Sequence, residues 1–541
     1  MSTETTGAAE VGSDRGGSSW WPLVALGLAQ FVMVLDQAVM NVSISQLVED
    51  FDTTVSTIQG VITFYSLVMA MLMLTGGKVG DIIGRRRAFV VGLVIYGCGS
   101  ALTAVAGSVA VLTIGWSVLE GIGAALVLPA LAALIAGNYE GKQRGVAYAI
   151  IGGVAGAGIA VGPIVGGWAT TELTWRVVFV GEVVLVLTIL ALTAKVGDAI
   201  REGAKPSLDS VGSVLSALGL GVLVLGMLQA SSWGWLSPKD SPVEPFGFAL
   251  TPFVMAAGAA ILYGFVRWER HREDSGEDPL VHLRLMRIPV LRSGLAGLLS
   301  QNVILMGVFF SIPLYLQLVL GLDALDTGLR MLPVSVAMFI FSALGSRLTR
   351  VMSVRSIVRS GLVAVALAVV VLLAAVRPEL SGATFGTGMA LLGVGMGLMA
   401  SQLGNVVQSS VDASGRGEAG GLQYTGQQLG SSIGVALIGS IVLAGLTAAF
   451  VSNVSDDERI SDTVAERIPE VAGTGVDFVP AEDLRAAVTD AGVSAAEADA
   501  VAEGYSSAQL QALKAGLLVA LVLALVSLPF TADLPAGRGE T

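Results

Sequence analysis

Charge is what this sequence has least of. Asp, Glu, Lys and Arg supply 13% of its 541 residues, where a soluble globular chain carries roughly 25%. Such a chain is not a water-soluble globular protein. A single cysteine, Cys98, rules out an intramolecular disulfide and argues against redox chemistry. The two histidines, His271 and His282, both fall in one hydrophilic stretch. Proton handling in the apolar interior would therefore fall to carboxylates, and no metal site is expected. A signal-peptide pattern is missing as well: residues 1–19 are polar, with no short apolar stretch behind a basic start. They read as a disordered tail.

Long apolar runs are what the chain does have. Residues 88–107 and 515–532 hold no Asp, Glu, Lys, Arg or His, and about 20 apolar residues span the hydrocarbon of a bilayer as a helix. The pattern predicts an all-α polytopic membrane protein of fourteen helices. They fall near 20–43, 57–77, 88–107, 109–137, 146–170, 177–195, 211–230, 246–267, 292–320, 328–346, 356–376, 383–411, 420–449 and 512–531. Placing both termini in the cytoplasm puts 22 of the 30 Lys and Arg residues inside, as the positive-inside bias requires. The expected location is the cytoplasmic (inner) membrane. The net charge of −12 is concentrated in residues 451–510, with 13 acids against three arginines. That segment is expected outside, as a solvated loop with a short helix near 481–489.

Three carboxylates stand inside predicted spans: Asp36, Glu120 and Glu182. An ionised acid at mid-bilayer costs roughly 3 kcal/mol on insertion scales, so such residues mark functional sites by default. No Lys or Arg within the spans is an obvious partner; Arg176, near the outer end of span six, is the nearest along the chain to Glu182. A carboxyl buried without a cation favours its neutral form, and could release a proton when water or a cationic substrate arrives.

Between spans two and three stands GKVGDIIGRRR (77–87). Its glycines suit a tight turn, and Asp81 can pair with Arg85 or Arg86. Gly77, Asp81, Gly84, Arg85 and Arg86 resemble the major facilitator superfamily signature, with Ile82 replacing the usual basic residue. By that resemblance the segment is a charge latch that rearranges during alternating access. GIAVGPIVGG (158–167) places Gly158, Gly162 and Gly166 on one helix face, allowing close helix approach, and Pro163 invites a bend. With Gly167 the string is similar to the superfamily's antiporter motif. VLDQAVMNVSI (34–44) resembles the first span of fourteen-span drug/proton antiporters through Asp36 and Asn41. Residues 312–333 and 423–441 resemble later spans of that branch, and GSRLTRVMSVR (345–355) is a degraded copy of the turn motif.

The resemblance implies two six-helix bundles, 20–197 and 291–533, joined by an extra pair within 198–290, with tails 1–19 and 534–541. It also implies a central site between the bundles. Spans one and four would line it, bringing Asp36 and Glu120 near one pathway, with Tyr65 and Trp116 beside them. Span six is usually peripheral, which leaves Glu182 to pair with Arg176 or to serve packing. The opposing wall would carry Gln301, Asn302, Met306 and Phe310 from span nine, and Gln402 and Asn405 from span twelve. Two departures stand out. Where the family reads R-x-x-Q-G in span four, this chain has SVLEG (117–121), with Glu120 at the glutamine position. After TWR (174–176) it has Glu182 where an asparagine is usual.

The expected function is proton-coupled export of lipophilic, including cationic, drugs or metabolites. It would need no cofactor beyond the proton gradient and would act as a monomer in the bilayer. A narrow exporter of one endogenous compound is the alternative. A membrane scaffold or sensor would leave the glycine motif and the amides unexplained. The glycine-rich GGVAGAG (152–158) lies within a span and no G-K-[ST] follows, so neither nucleotide nor nucleic acid is expected.

Overall fold

Hydrocarbon offers the backbone no hydrogen-bond partner, so a chain of apolar segments must satisfy its peptide groups within helices. A computed structural model of the chain describes residues 20–53, 55–194, 196–197, 207–239, 241–461, 464 and 478–537. Fourteen of its helices are long and apolar enough to cross a membrane. They are α1 (Trp21–Val42), α2 (Val55–Ile83), α3 (Arg85–Ala104), α4 (Val109–Asn138), α5 (Gly141–Glu172), α6 (Arg176–Thr193) and α7 (Ser210–Trp233) in the first half. The second half holds α8 (Thr251–Asp274), α9 (Pro289–Val319), α10 (Ala324–Leu348), α11 (Val354–Ala375), α12 (Gly382–Ser409), α13 (Arg416–Ser455) and α14 (Ala495–Val526).

The number of spans matches the sequence reading, but some limits do not. Helix α2 runs through Gly77 and Asp81, so the expected turn is a single break at Gly84, where φ is +100°. Only glycine takes that conformation readily. Asp81 and Arg85 then pair across the break at 3.2 Å. Helix α14 begins at Ala495 rather than near 512, because its first turns pack on the segment from 478 to 490 instead of lying loose. There the short helix Ala481–Asp490 lies against it, and Tyr505 and Gln509 bond the backbone of Val479. The expected tail at 1–19 and the last four residues of the expected tail at 534–541 lie outside the described residues.

Buried apolar side chains form two large cores. One gathers residues from Leu23 to Val196, together with Tyr424; the other gathers residues from Leu291 to Leu534. Close helix approach within the first core rests on small residues. A Cβ at Gly123 of α4 would stand 2.7 Å from the backbone nitrogen of Tyr96 on α3, and one at Gly99 would meet Gly115 O at 2.7 Å. The antiporter-like glycines pack on α1 in register: Gly158 against Val34, Gly162 against Ala38 and Gly166 against Val39. Pro163 lies beside Gly328 of α10.

The corner after α1 is tied to α6. Arg176 reaches Asp50 at 2.6 Å, and the Trp175 indole donates to the same carboxylate at 2.8 Å. The Trp175 bond, with Arg176 beside it, holds Asp50 below the usual aspartate range. Its stabilisation is present above the ordinary aspartate value and fades as pH falls through the lowered one.

Overpacking the α3–α4 contact should be costly. Gly123→Val is expected to lose roughly 1–3 kcal/mol, read as a clear fall in the thermal midpoint of the purified protein. Gly27→Ala, where a Cβ meets nothing within 4 Å, should leave the midpoint in place. Equal midpoints for the two variants would remove this packing role from Gly123.

Candidate functional site

Helix α4 is not regular where Glu120 sits. Residues Thr113–Glu120 form a π-helical stretch inside it, a local widening that often accompanies functional sites. From its end, Glu120 points toward α3, where Gly99 makes room. A Cβ at Gly99 would stand 2.7 Å from Glu120 Cγ. Asp36 arrives from α1 and Glu182 from α6. Carboxylate oxygens of the three acids lie within 4.8 Å of one another, and each residue is at most 1% exposed.

This placement corrects the expectation for Glu182. Arg176 is spent on Asp50 and on the carbonyl of Ala106, so it is not the partner of Glu182. Instead α6 packs against α3 and Glu182 turns into the bundle, where Ser100 donates to it at 3.1 Å and Tyr96 at 3.5 Å. The Trp116 indole donates to Asp36 at 2.7 Å, and Thr103 donates to Glu120 at 3.5 Å. Tyr65 stacks on Trp116 with ring centroids 4.5 Å apart. The hydroxyls of α3 were missed in the sequence, although Tyr96, Ser100 and Thr103 recur four and three residues apart on one helix face. The side chain of Asn41 lies outside the described residues.

Among the described residues no ion pair reaches any of the three acids. Among the described residues, one oxygen of each has no hydrogen-bond partner: Asp36 Oδ2, Glu120 Oε2 and Glu182 Oε1. The Tyr65 hydroxyl is in the same condition. Two full charges at this spacing repel by roughly 3 kcal/mol even at an effective dielectric of about 20. A cluster of three ionised carboxylates is therefore untenable without a cation. Shared protons relieve it, because a neutral carboxyl can donate where an ionised one can only accept.

The amides of the second half are tied to helix backbones. Gln301 donates to Met396 O at 3.2 Å, Gln402 to Gly345 O at 3.0 Å and Asn302 to Leu298 O at 2.9 Å. Asn405 accepts from Arg144 of α5 at 3.0 Å. Met306 and Phe310 are half-buried on α9, with Phe310 against Gly439 of α13.

The 77–87 segment lies against the start of α13. A Cβ at Gly77 would stand 2.7 Å from Gly417 O, and Gly417 sits directly on the Asp81 carboxylate. The first turn of a helix carries unpaired N–H groups and partial positive charge, so an acid there is favourable. Arg85 also donates to Ala413 O at 2.8 Å, and Arg416 to Ala136 O at 2.9 Å. Lys78, only 2% exposed, reaches Asp278 at 3.0 Å and Glu418 at 3.5 Å, and His282 Nδ1 lies 2.8 Å from Glu418. Arg86 lines a surface cavity of about 490 Å³ with Ile83, Arg87, Val90 and Val91. The two bundles are thus clamped at this end. Lys78, Asp278, His282 and Glu418 were not legible beforehand, because they are scattered over 341 positions of the chain.

The model of the Major Facilitator Superfamily matches residues 26–435. Among curated relatives, the chain is 31% identical to a probable actinorhodin transporter of Streptomyces coelicolor, over 81% of this chain and 75% of that one. It is 29% identical to the multidrug efflux pump LfrA of Mycolicibacterium smegmatis, over 95% and 96%. It is 28% identical to the tetracenomycin C resistance and export protein of Streptomyces glaucescens, over 88% and 87%. Solved structures with the same fold include the proton:xylose symporter XylE, with a TM-score of 0.56 at 15% identity over 96% of this chain and 98% of that one. The human organic anion transporter MFSD10 gives 0.54 at 14% identity over 93% and 97%. The chain belongs to the Major Facilitator Superfamily and is a membrane transporter, not an enzyme.

Proposed function

We propose that this chain exports lipophilic small molecules, cationic ones included, in exchange for protons by alternating access. One observation carries the reading: three buried carboxyls from three helices lie within 4.8 Å of one another with no ion pair among the described residues. Such a cluster is stable when protonated and unstable when fully ionised. A substrate or water front that reaches it favours proton release, and protons entering from the other side reload it. The energy source is the gradient, and no cofactor is required. The Lys and Arg bias of the loops puts both termini, and with them the Gly77–Arg87 clamp, on the cytoplasmic side. In this reading the described conformation is closed toward the cytoplasm.

The relative named as a multidrug efflux pump favours a broad substrate range. The actinorhodin and tetracenomycin C proteins favour the narrower alternative, export of one endogenous compound. Growth tests separate the two. Tolerance to unrelated dyes and antiseptics supports breadth, and tolerance to a single compound supports the dedicated exporter.

Glu120→Gln is expected to fold and to lose gradient-driven transport of ethidium in proteoliposomes by about 100-fold, the scale of a lost proton-transfer group. Transport at the wild-type rate under an imposed pH gradient would sink the assignment. A second measurement reads the protons directly. Adding ethidium to purified, weakly buffered protein should release protons, and neutralising the acids one at a time (Asp36→Asn, Glu120→Gln, Glu182→Gln) should reduce the yield. An unchanged yield in Glu182→Gln would take Glu182 out of the coupling set.

A further inference from the structure

The inserted pair α7–α8 stays apart from the carboxyl cluster, yet it is built into the clamp. Leu220 of α7, Phe265 of α8 and Leu280 and Val281 of the following connector share a buried core with Leu74 of α2. Leu422 and Leu429 of α13 pack on the same core. Met227 and Ala230 of α7 are buried with Ala436 of α13. The pair therefore seals the seam between α2 and α13, the two helices that the clamp joins.

A polar chain follows the same route. Asp209 caps α7 through the N–H of Gly212 and also holds Trp268 and Arg272 of α8. Arg272 donates to the carbonyl of Asp278, and the Asp278 carboxylate accepts from the backbone N–H of Ser207. The other oxygen of Asp278 meets buried Lys78 of α2. Four residues on, His282 contacts Glu418 of α13 twice, through its backbone N–H at 3.0 Å and its ring Nδ1 at 2.8 Å. Glu418 stands next to Gly417, on which Asp81 rests.

We propose that the connector from α8 to α9 is the bolt of the gate, with Asp278 and His282 as its positioning residues. Neither touches the carboxyl cluster. Asp278 holds Lys78 and His282 holds Glu418, so α2 and α13 are gripped by one segment that α7 and α8 anchor. Moving α2 away from α13 parts Lys78 from Glu418, and the connector cannot follow both. Opening must break either Asp278–Lys78 or His282–Glu418 and leave a buried charge with fewer partners. The inserted pair is then part of the gate and not a passive link between bundles.

This inference rests on the alternating-access reading, but its test needs no proton gradient. In a Cys98→Ser background, spin labels at Lys142→Cys and Asp412→Cys report the width of the clamped end by pulsed electron paramagnetic resonance. Asp278→Asn and His282→Ala should each raise the wide population by about five-fold or more, the lower bound of an ordinary coupling between sites. Asp278→Glu should bring it back toward wild type. A merely structural role would lower the thermal midpoint and leave the distance distribution in place. If Asp278→Asn does not fold, Glu418→Gln loosens the other grip of the connector, the His282–Glu418 contact, and reads the same gate. Distributions unchanged within two-fold in well-folded His282→Ala and Glu418→Gln would overturn the bolt. A shifted distribution in a protein without gradient-driven ethidium transport would keep the bolt and remove the proton reading.

Discussion

Inside hydrocarbon a polar group has only the protein to turn to, and this constraint shapes the whole molecule. It explains why the spans are helical and why Gln301 and Gln402 are spent on carbonyls of neighbouring helices. It also explains why Asn405 takes its bond from Arg144. Against that background the cluster of Asp36, Glu120 and Glu182 stands out as three carboxyls in one place. Three acids share one pocket of the first bundle, and among the described residues each leaves one oxygen without a partner. What sets these acids apart is that three carboxyls with unsatisfied oxygens meet at one place, where the proposed exchange of protons would use them.

Steric features of the first bundle hold those acids together. Gly99 must lack a side chain for Glu120 to enter beside α3, and the π-helical stretch Thr113–Glu120 places the residue there. The glycines at 158, 162 and 166 let α5 approach α1 along the turns that carry Asp36. The antiporter-like motif therefore acts on the cluster at one remove, by fixing the helix that presents Asp36. Trp116 completes the arrangement, since its indole bonds Asp36 while its ring is stacked by Tyr65.

Much of this was legible in the sequence, for physical reasons that also set the limit. Hydropathy depends on composition alone, so the number of spans could be read directly. The acids were conspicuous because charge is so expensive in an apolar run. Of the alternatives read for Glu182, the pairing with Arg176, six residues away, fails because Asp50 captures that arginine from across the chain. The clamp was half visible: Gly77, Asp81 and Arg85 carry a pattern, whereas Lys78, Asp278, His282 and Glu418 have none. Their meeting depends on α2, α13 and the α8–α9 connector converging, a tertiary fact with no local signature. The start of α14 was missed for a related reason, since its first turns are polar and gain their packing from the segment 478–490.

One helix takes part in both charged regions. Helix α2 is 29 residues long; it carries Tyr65 against Trp116 in the cluster, and Lys78 and Asp81 in the clamp. Thirteen residues separate Tyr65 from Lys78, about 20 Å along a helix rising 1.5 Å per residue. No proline and no break in the helix falls between those points, although Gly76 and Gly77 precede Lys78 directly. A continuous helix tends to carry a change of tilt at one of these sites to the other. In the proposed exchange, a shift of Tyr65 with the protonation of the acids would be carried along α2 toward Gly77, which lies close against Gly417. The proposed exchange chemistry and the proposed gate would thus be joined by one continuous helix, α2, with no chain of polar residues required between them.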